Sequence, residues 1–275
     1  MSFLNRVAQS LRALLAVSAV AVAMAATDGL RAEEIVQRPD LDAVFRDAGV
    51  AGTFVLFDVA ADRLIVVNGE RASRRDIPAS TFKIANSLIV LETGVVSDEY
   101  EIVPYGGKPQ PIKAWEKDMG LREAIAVSNV PIYQALARQV GLKSYTAWLG
   151  RLGYGNGQVG ENVETFWLRG PLRISAVEQV KFLARLARKQ LPMSTRAQDI
   201  VRDILLLFKT EGGPAIFAKT GWSVSSTPQV GWWVGWVEKE GRVYPFALNI
   251  DIQGKSDLPK RTTLGLELLS RLELR

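Results

Sequence analysis

Two kinds of apolar spacing divide the chain. Near both ends apolar positions come in short runs of β-branched and aromatic residues; between them they recur at the three- and four-residue intervals of helices. Residues 53–59 and 64–67, separated by Ala60, Ala61, Asp62 and Arg63, predict a hairpin. After Pro78 the period lengthens. Residues 81–92 carry Phe82, Ile84, Ala85, Leu88, Ile89 and Leu91, too apolar for a surface helix, so a buried one is predicted with Gly94 ending it. Further helices are predicted over 131–140, 143–152, 176–190 and 195–208, and Ser175 with Glu178 makes a capping box ahead of the third. Gly212, Gly213 and Pro214 break the helical stretch. Strand signals return over 215–218, 231–238 and 243–250, with 239–242 as a turn, and 258–272 reads as a closing helix. The pattern predicts an α+β fold: an antiparallel sheet assembled from both termini (33–75 and 211–275), flanked by helices, with 76–210 inserted as a mostly helical lobe.

The first residues follow neither spacing. Arg6 and Arg12 precede the uncharged run 13–26, with Ala23, Met24 and Ala25 near its end, the layout of a secretory signal peptide spanning 1–25; cleavage after Ala32 is the alternative. The run is shorter than the ~20 apolar residues of a spanning helix, so cleavage and release are expected, with no stable membrane insertion. Adjacent arginines are missing, which favours the general secretory route and a periplasmic destination. Losing residues 1–25 removes both arginines and takes the formal charge from +5 to +3, too little to imply a nucleic-acid partner. Lys181, Arg185, Arg188 and Lys189 read as the solvated helix face opposite Val180, Phe182, Leu183 and Leu186. No residue pattern specifies an oligomeric state.

Composition matters mainly through what is missing. With 48% apolar and 23% charged residues the chain is ordinarily globular, but it contains no histidine and no cysteine. Zinc thiolate sites, thiol nucleophiles and disulfides are excluded, most catalytic metal sites go with them, and no metal is expected. The usual histidine base of a serine nucleophile is excluded too. Ser80-Thr81-Phe82-Lys83 nevertheless forms an S-x-x-K tetrad, which puts Lys83 one helical turn from Ser80. Apolar neighbours desolvate the lysine, lower its pKa and make a neutral amine available as a base. Ser128-Asn129-Val130 precedes the helix that Pro131 opens, as a second serine or as a plain cap. Tyr154-Gly155-Asn156 is a turn signal, and Trp167-Leu168 falls in a loop before Gly170-Pro171. Lys219-Thr220-Gly221 closes an apolar strand, where lysine and threonine can face a carboxylate and glycine admits a close approach. Trp232, Trp233 and Trp236 read as sheet packing.

In order and approximate spacing these motifs, with Trp222 after the K-T-G triplet, resemble the class D serine β-lactamases, relatives of the penicillin-binding proteins. The second motif lacks the aspartate and final asparagine of class A enzymes, which points to class D. The resemblance implies hydrolysis of penicillin-type β-lactams through an acyl-enzyme on Ser80, with an oxyanion hole from the Ser80 and Trp222 backbone N–H groups. It implies no cofactor beyond carbon dioxide, bound as a carbamate on Lys83 (N6-carboxylysine) that serves as general base. Val130 and Leu168 would keep that pocket dry and Trp167 would donate its indole N–H. Ser128 and Lys219 would pass a proton to the ring nitrogen, while Thr220, Gly221 and Arg261 would bind the substrate, Arg261 through its carboxylate with Lys260 as the neighbouring candidate. A non-hydrolysing β-lactam sensor and a peptidoglycan transpeptidase share part of the motif set. The sensor's membrane segments and protease histidines are missing, and Trp167-Leu168 with Ser128-Asn129-Val130 argues against the transpeptidase.

Overall fold

Strands β1 (Glu34–Gln37), β2 (Gly52–Asp58) and β3 (Arg63–Val67) come from one end of the chain. The other end supplies β4 (Leu206–Lys209), β5 (Ala215–Ser223), β6 (Gln229–Lys239) and β7 (Arg242–Ile252). This computed structural model describes residues 33–275; the expected signal peptide lies outside the described residues. The strands form one sheet in the order β1-β3-β2-β7-β6-β5-β4, so the ends of the chain meet where β2 pairs with β7. The predicted hairpins are present, and every pairing is antiparallel except β1 with β3, which makes the sheet mixed. β1 is short and largely exposed, too weak a pattern to announce a strand.

Nine helices are described: α1 (Asp42–Asp47), α2 (Gly69–Ser73), α3 (Lys83–Glu92), α4 (Leu121–Ala126), α5 (Val130–Leu152), α6 (Phe166–Arg169), α7 (Ala176–Ala187), α8 (Thr195–Ile204) and α9 (Lys260–Arg271). The helices predicted over 131–140 and 143–152 are the halves of α5, which breaks at Gly141 (φ 76°, ψ 157°). The helix predicted over 195–208 ends at Ile204. The run from Leu205 to Phe208 suits either period, and β5 decides it by pairing Leu206 with Phe217 and Phe208 with Ile216. Lys219, Thr220 and Gly221 lie within β5, which continues to Ser223, and not at a strand end. Trp167 and Leu168 sit in α6, not a loop.

Both faces of the sheet are covered. The helical lobe, with α3 and α7, packs on one face over a core that includes Trp232 and Trp236; α1 and α9 cover the other, where Trp233 points. A central strand buried on both sides needs the unbroken apolar run that β6 has. α3 is buried from Lys83 to Leu91, as its composition predicts, and it carries Lys83, Asn86 and Ser87 into the interior.

Candidate active site

The chain reaches α3 through a strained turn. Ala79 has φ 49°, and residues Ala79–Phe82 form a single 3₁₀ turn that runs directly into the helix, placing Ser80 just before it. Such a backbone persists only where its surroundings hold it. Asp76 exchanges backbone hydrogen bonds with Ile174 at 3.0 and 2.9 Å, and the Trp232 indole donates to Ile77 O at 3.0 Å. Thr81 Oγ1 donates to Pro78 O at 2.7 Å and accepts from Gln179 Nε2 at 3.0 Å. Phe82 is enclosed by Tyr145, Tyr154, Phe166 and Trp167 at centroid separations of 5.1 to 6.1 Å.

That anchoring drives the next residue inward. Lys83 is fully buried, its Nζ lies 3.0 Å from Ser80 Oγ, and among the described residues no carboxylate pairs with it. Burial, reinforced by the nearby Lys219, holds its pKa well below the ordinary lysine value. A neutral amine at this distance can accept the serine proton.

Asn129 caps α5 by accepting from Ile132 N–H at 3.0 Å, so the cap reading holds for the asparagine and leaves the preceding serine for other work. Ser128 has φ 58°, a second strained backbone beside the site, and its Oγ accepts from Lys219 Nζ at 3.0 Å. Lys219 also donates to Thr220 O at 3.1 Å, and burial with Arg261 nearby lowers its pKa to about 7. A Cβ on Gly221 would lie 3.0 Å from both Pro78 O and Thr81 Cγ2, so glycine is what lets β5 close on the Ser80 turn. Two serines and two desolvated lysines thus converge from a turn, the start of α3, the residue before the α5 cap and a strand. Trp167 is fully buried against Phe82, and its indole N–H has no hydrogen-bond partner among the described residues. Buried donors are normally satisfied, and this one is free to serve an acceptor placed beside it.

Residues 52–270 match the family model of the penicillin-binding protein transpeptidase domain. The chain is 45% identical over 231 residues to β-lactamase OXA-5 of Pseudomonas aeruginosa, covering 82% of this chain and 85% of that protein. With β-lactamase OXA-48 of Klebsiella pneumoniae the identity is 39% over 240 residues, covering 87% and 90%. Among solved structures, FUS-1 (OXA-85), a class D β-lactamase from Fusobacterium nucleatum subsp. polymorphum, superposes with a TM-score of 0.84 at 38% identity, covering 86% of this chain and 99% of that one. The chain belongs to the class D β-lactamases.

In this class D chain the structure separates the two candidate cations at the start of α9. Arg261 Nη1 donates to Gly221 O at 2.8 Å and its Nε to Leu258 O at 2.7 Å, which fixes it behind the K-T-G strand. Lys260 instead donates to Ala48 O at 2.9 Å and pairs with Asp257 at 2.8 Å, away from β5. Val130 opens α5 and Leu168 packs on the main core, each half-buried; Trp222 hydrogen-bonds Gln229 through its indole at 2.9 Å. Sequence reading passes over three buried polar residues: Gln179 supports Thr81, Tyr133 lies under Lys83 Nζ at 5.2 Å, and Asn86 accepts from Tyr145 at 2.6 Å. Gln179 and Asn86 sit among apolar neighbours on the buried faces of their helices, and that is the one signal that could mark them.

The depressed pKa of Lys219 has a consequence for stability. Above about pH 7 the folded chain has released this proton, while an unfolded lysine holds it to its ordinary value of 10.5. The unfolded state then binds more protons, so stability rises with pH between those limits. Thermal unfolding followed from pH 7 to 10 should show a rising melting temperature, and Lys219→Met should flatten the slope.

Proposed function

We propose that Ser80 opens the β-lactam ring and carries the acyl group until water releases it, so that the protein hydrolyses penicillin-type antibiotics. The observation that carries this reading is the 3.0 Å contact between a partly exposed Ser80 and a fully buried Lys83. Ser80 Oγ attacks the lactam carbonyl as its proton passes to the base at Lys83, and the Ser80 and Trp222 backbone N–H groups receive the oxyanion. As the C–N bond breaks, Ser128 protonates the ring nitrogen and is resupplied by Lys219, whose pKa of about 7 lets it give or take a proton near neutrality. Val130 and Leu168 limit water at Lys83. Carbon dioxide added to the Lys83 amine would supply a carboxylate-type base for both half-reactions. The desolvated amine is the form that reacts with carbon dioxide, and the unpartnered Trp167 N–H is a donor suited to hold the product. Residues 33–275 act as one catalytic domain, a sheet lobe (33–75 and 211–275) joined to a mostly helical lobe (76–210) that also supplies β4 to the sheet, exported to the periplasm by a signal peptide, residues 1–25, that is then cleaved. Among the described residues no helix is long and apolar enough to cross a membrane.

Purified protein given excess chromogenic cephalosporin should turn over steadily. A stoichiometric burst that stops would mean a sensor or a penicillin-binding protein instead.

Thr220 and Arg261 bind the substrate carboxylate. Arg261→Ala should lower kcat/KM about ten- to a hundredfold, as expected from losing a hydrogen bond to a charged group worth about 1.5–3 kcal/mol. Lys260→Ala should leave kinetics near wild type and cost only some stability, through Ala48 and Asp257. The reverse pattern would assign the carboxylate to Lys260.

A further inference from the structure

Strand β4 pairs with β5 only over Ala215 to Phe217, and the last tie is Ala218 N–H to Leu205 O at 2.9 Å. Beyond it, the edge of β5 that faces away from β6 has no strand partner among the described residues. A cavity of about 220 Å³ follows that edge. Leu205, Leu206 and Leu207 form one side, Ile125 and Ala126 at the end of α4 contribute to another, and Lys219 and Thr220 line it as well. Lys219 also donates to Ser128 Oγ at 3.0 Å, so the cavity and the Ser128 side of the site share a wall. Lys219 is the one ionisable residue in the lining, and Leu206 and Leu207 stand 41% and 59% exposed. Exposed leucines on an otherwise wet edge are where a ligand's apolar part would be sheltered.

We infer that this cavity is the subsite for an apolar substituent on the ring side of the substrate, the arm that a cephalosporin carries on the carbon next to its carboxylate-bearing carbon. The inference rests on the reading of Ser80 and the Thr220–Arg261 pair as the two anchors. With the lactam carbonyl at Ser80, the ring nitrogen at Ser128 and Lys219, and the carboxylate at Thr220 and Arg261, that arm leaves the ring past Lys219 and Thr220. The space is adequate, since a dry apolar cavity of about 150 Å³ already holds a benzene ring. A cationic arm is unsuited to it: the described lining offers no anion to pair with, and its walls are mostly apolar.

The test uses cephalosporins that share one acyl side chain and carry methyl, a phenylvinyl group or a pyridinium at this position, with benzylpenicillin as the substrate that has no such arm. Acylation and turnover are measured for wild type, Ala126→Phe, which fills the cavity from an exposed helix end, and Leu206→Ser, which makes its opposite side polar. The arms change the intrinsic reactivity of the ring, and this cancels in the ratio of variant to wild type. For the phenylvinyl substrate that ratio should fall about tenfold in Ala126→Phe and about threefold in Leu206→Ser. For the methyl substrate and benzylpenicillin it should stay within about twofold. Equal ratios for all arms in both variants would overturn the subsite. Wild type that is acylated but does not turn over would overturn the hydrolase reading, and the acylation ratios would still decide the subsite.

Discussion

Ser80→Ala is expected to abolish β-lactam hydrolysis, by at least about 10⁴-fold, while the fold stands. The turn that carries Ser80 is held by Asp76, Ile77, Pro78 and Thr81, and none of those ties uses the serine side chain. The hydroxyl's described side-chain partner is Lys83 Nζ, and leaving that one buried group unpaired costs about 1–3 kcal/mol, small for a domain of this size. Melting temperature should therefore change little. Two other serines lie near the nucleophile's place in the fold: Ser128, which has Lys219 at 3.0 Å, and Ser87, which is hydrogen-bonded to Tyr133 at 2.7 Å. Ser128 is the informative rival, because a lysine-activated serine is what the mechanism requires of Ser80. Mass spectrometry after exposure to a slowly released β-lactam should find one adduct on wild type, on Ser80, and none on the variant. A stable adduct on Ser128 would exchange the roles of the two serine–lysine pairs.

The elements that the sequence makes legible are those whose apolar spacing leaves no choice. β6 is apolar on both faces and α3 is too apolar for a surface helix, so each can only be interior, and the site follows because its nucleophile immediately precedes one such element and Lys83 opens it. Leu206 to Phe208 is the contrary case: the residues satisfy helix and strand alike, and the free edge of β5, distant in no local pattern, makes them a strand. The site divides in the same way. Ser80 with Lys83 is a local relation and is readable from spacing. Ser128 with Lys219, 91 positions apart, is visible only through a family resemblance until the fold brings them together. Gln179 and Asn86 belong to no motif, and their importance lies in which buried group each one meets. Arg261 and Lys260 are equivalent in sequence, and the direction of one helix turn distinguishes them.

The unpartnered Trp167 indole sets up the second large effect. Trp167→Phe keeps an aromatic ring against Phe82 and removes the N–H together with part of the indole, so most of the packing loss of a truncation to alanine, about 3–5 kcal/mol, is avoided. If that donor holds a carboxylated Lys83, the variant should bind carbon dioxide about ten- to a hundredfold more weakly, the worth of a hydrogen bond to a charged group. Deacylation should slow more than acylation, because the released acyl-enzyme depends on a base that activates water, and acyl-enzyme should accumulate. Added bicarbonate should restore part of the rate by mass action. Lowering the pH should mimic the variant: Lys83 is neutral only above its depressed pKa, so acid returns the proton, blocks addition of carbon dioxide and makes activity bicarbonate-dependent in wild type as well. ¹³C NMR with labelled bicarbonate reads occupancy without reference to turnover, and should give a carbamate resonance in wild type, lost in Lys83→Met and weakened in Trp167→Phe. If bicarbonate leaves both the spectrum and the rate unchanged at every pH, Lys83 works as a plain amine, and the buried Trp167 N–H must find its acceptor elsewhere.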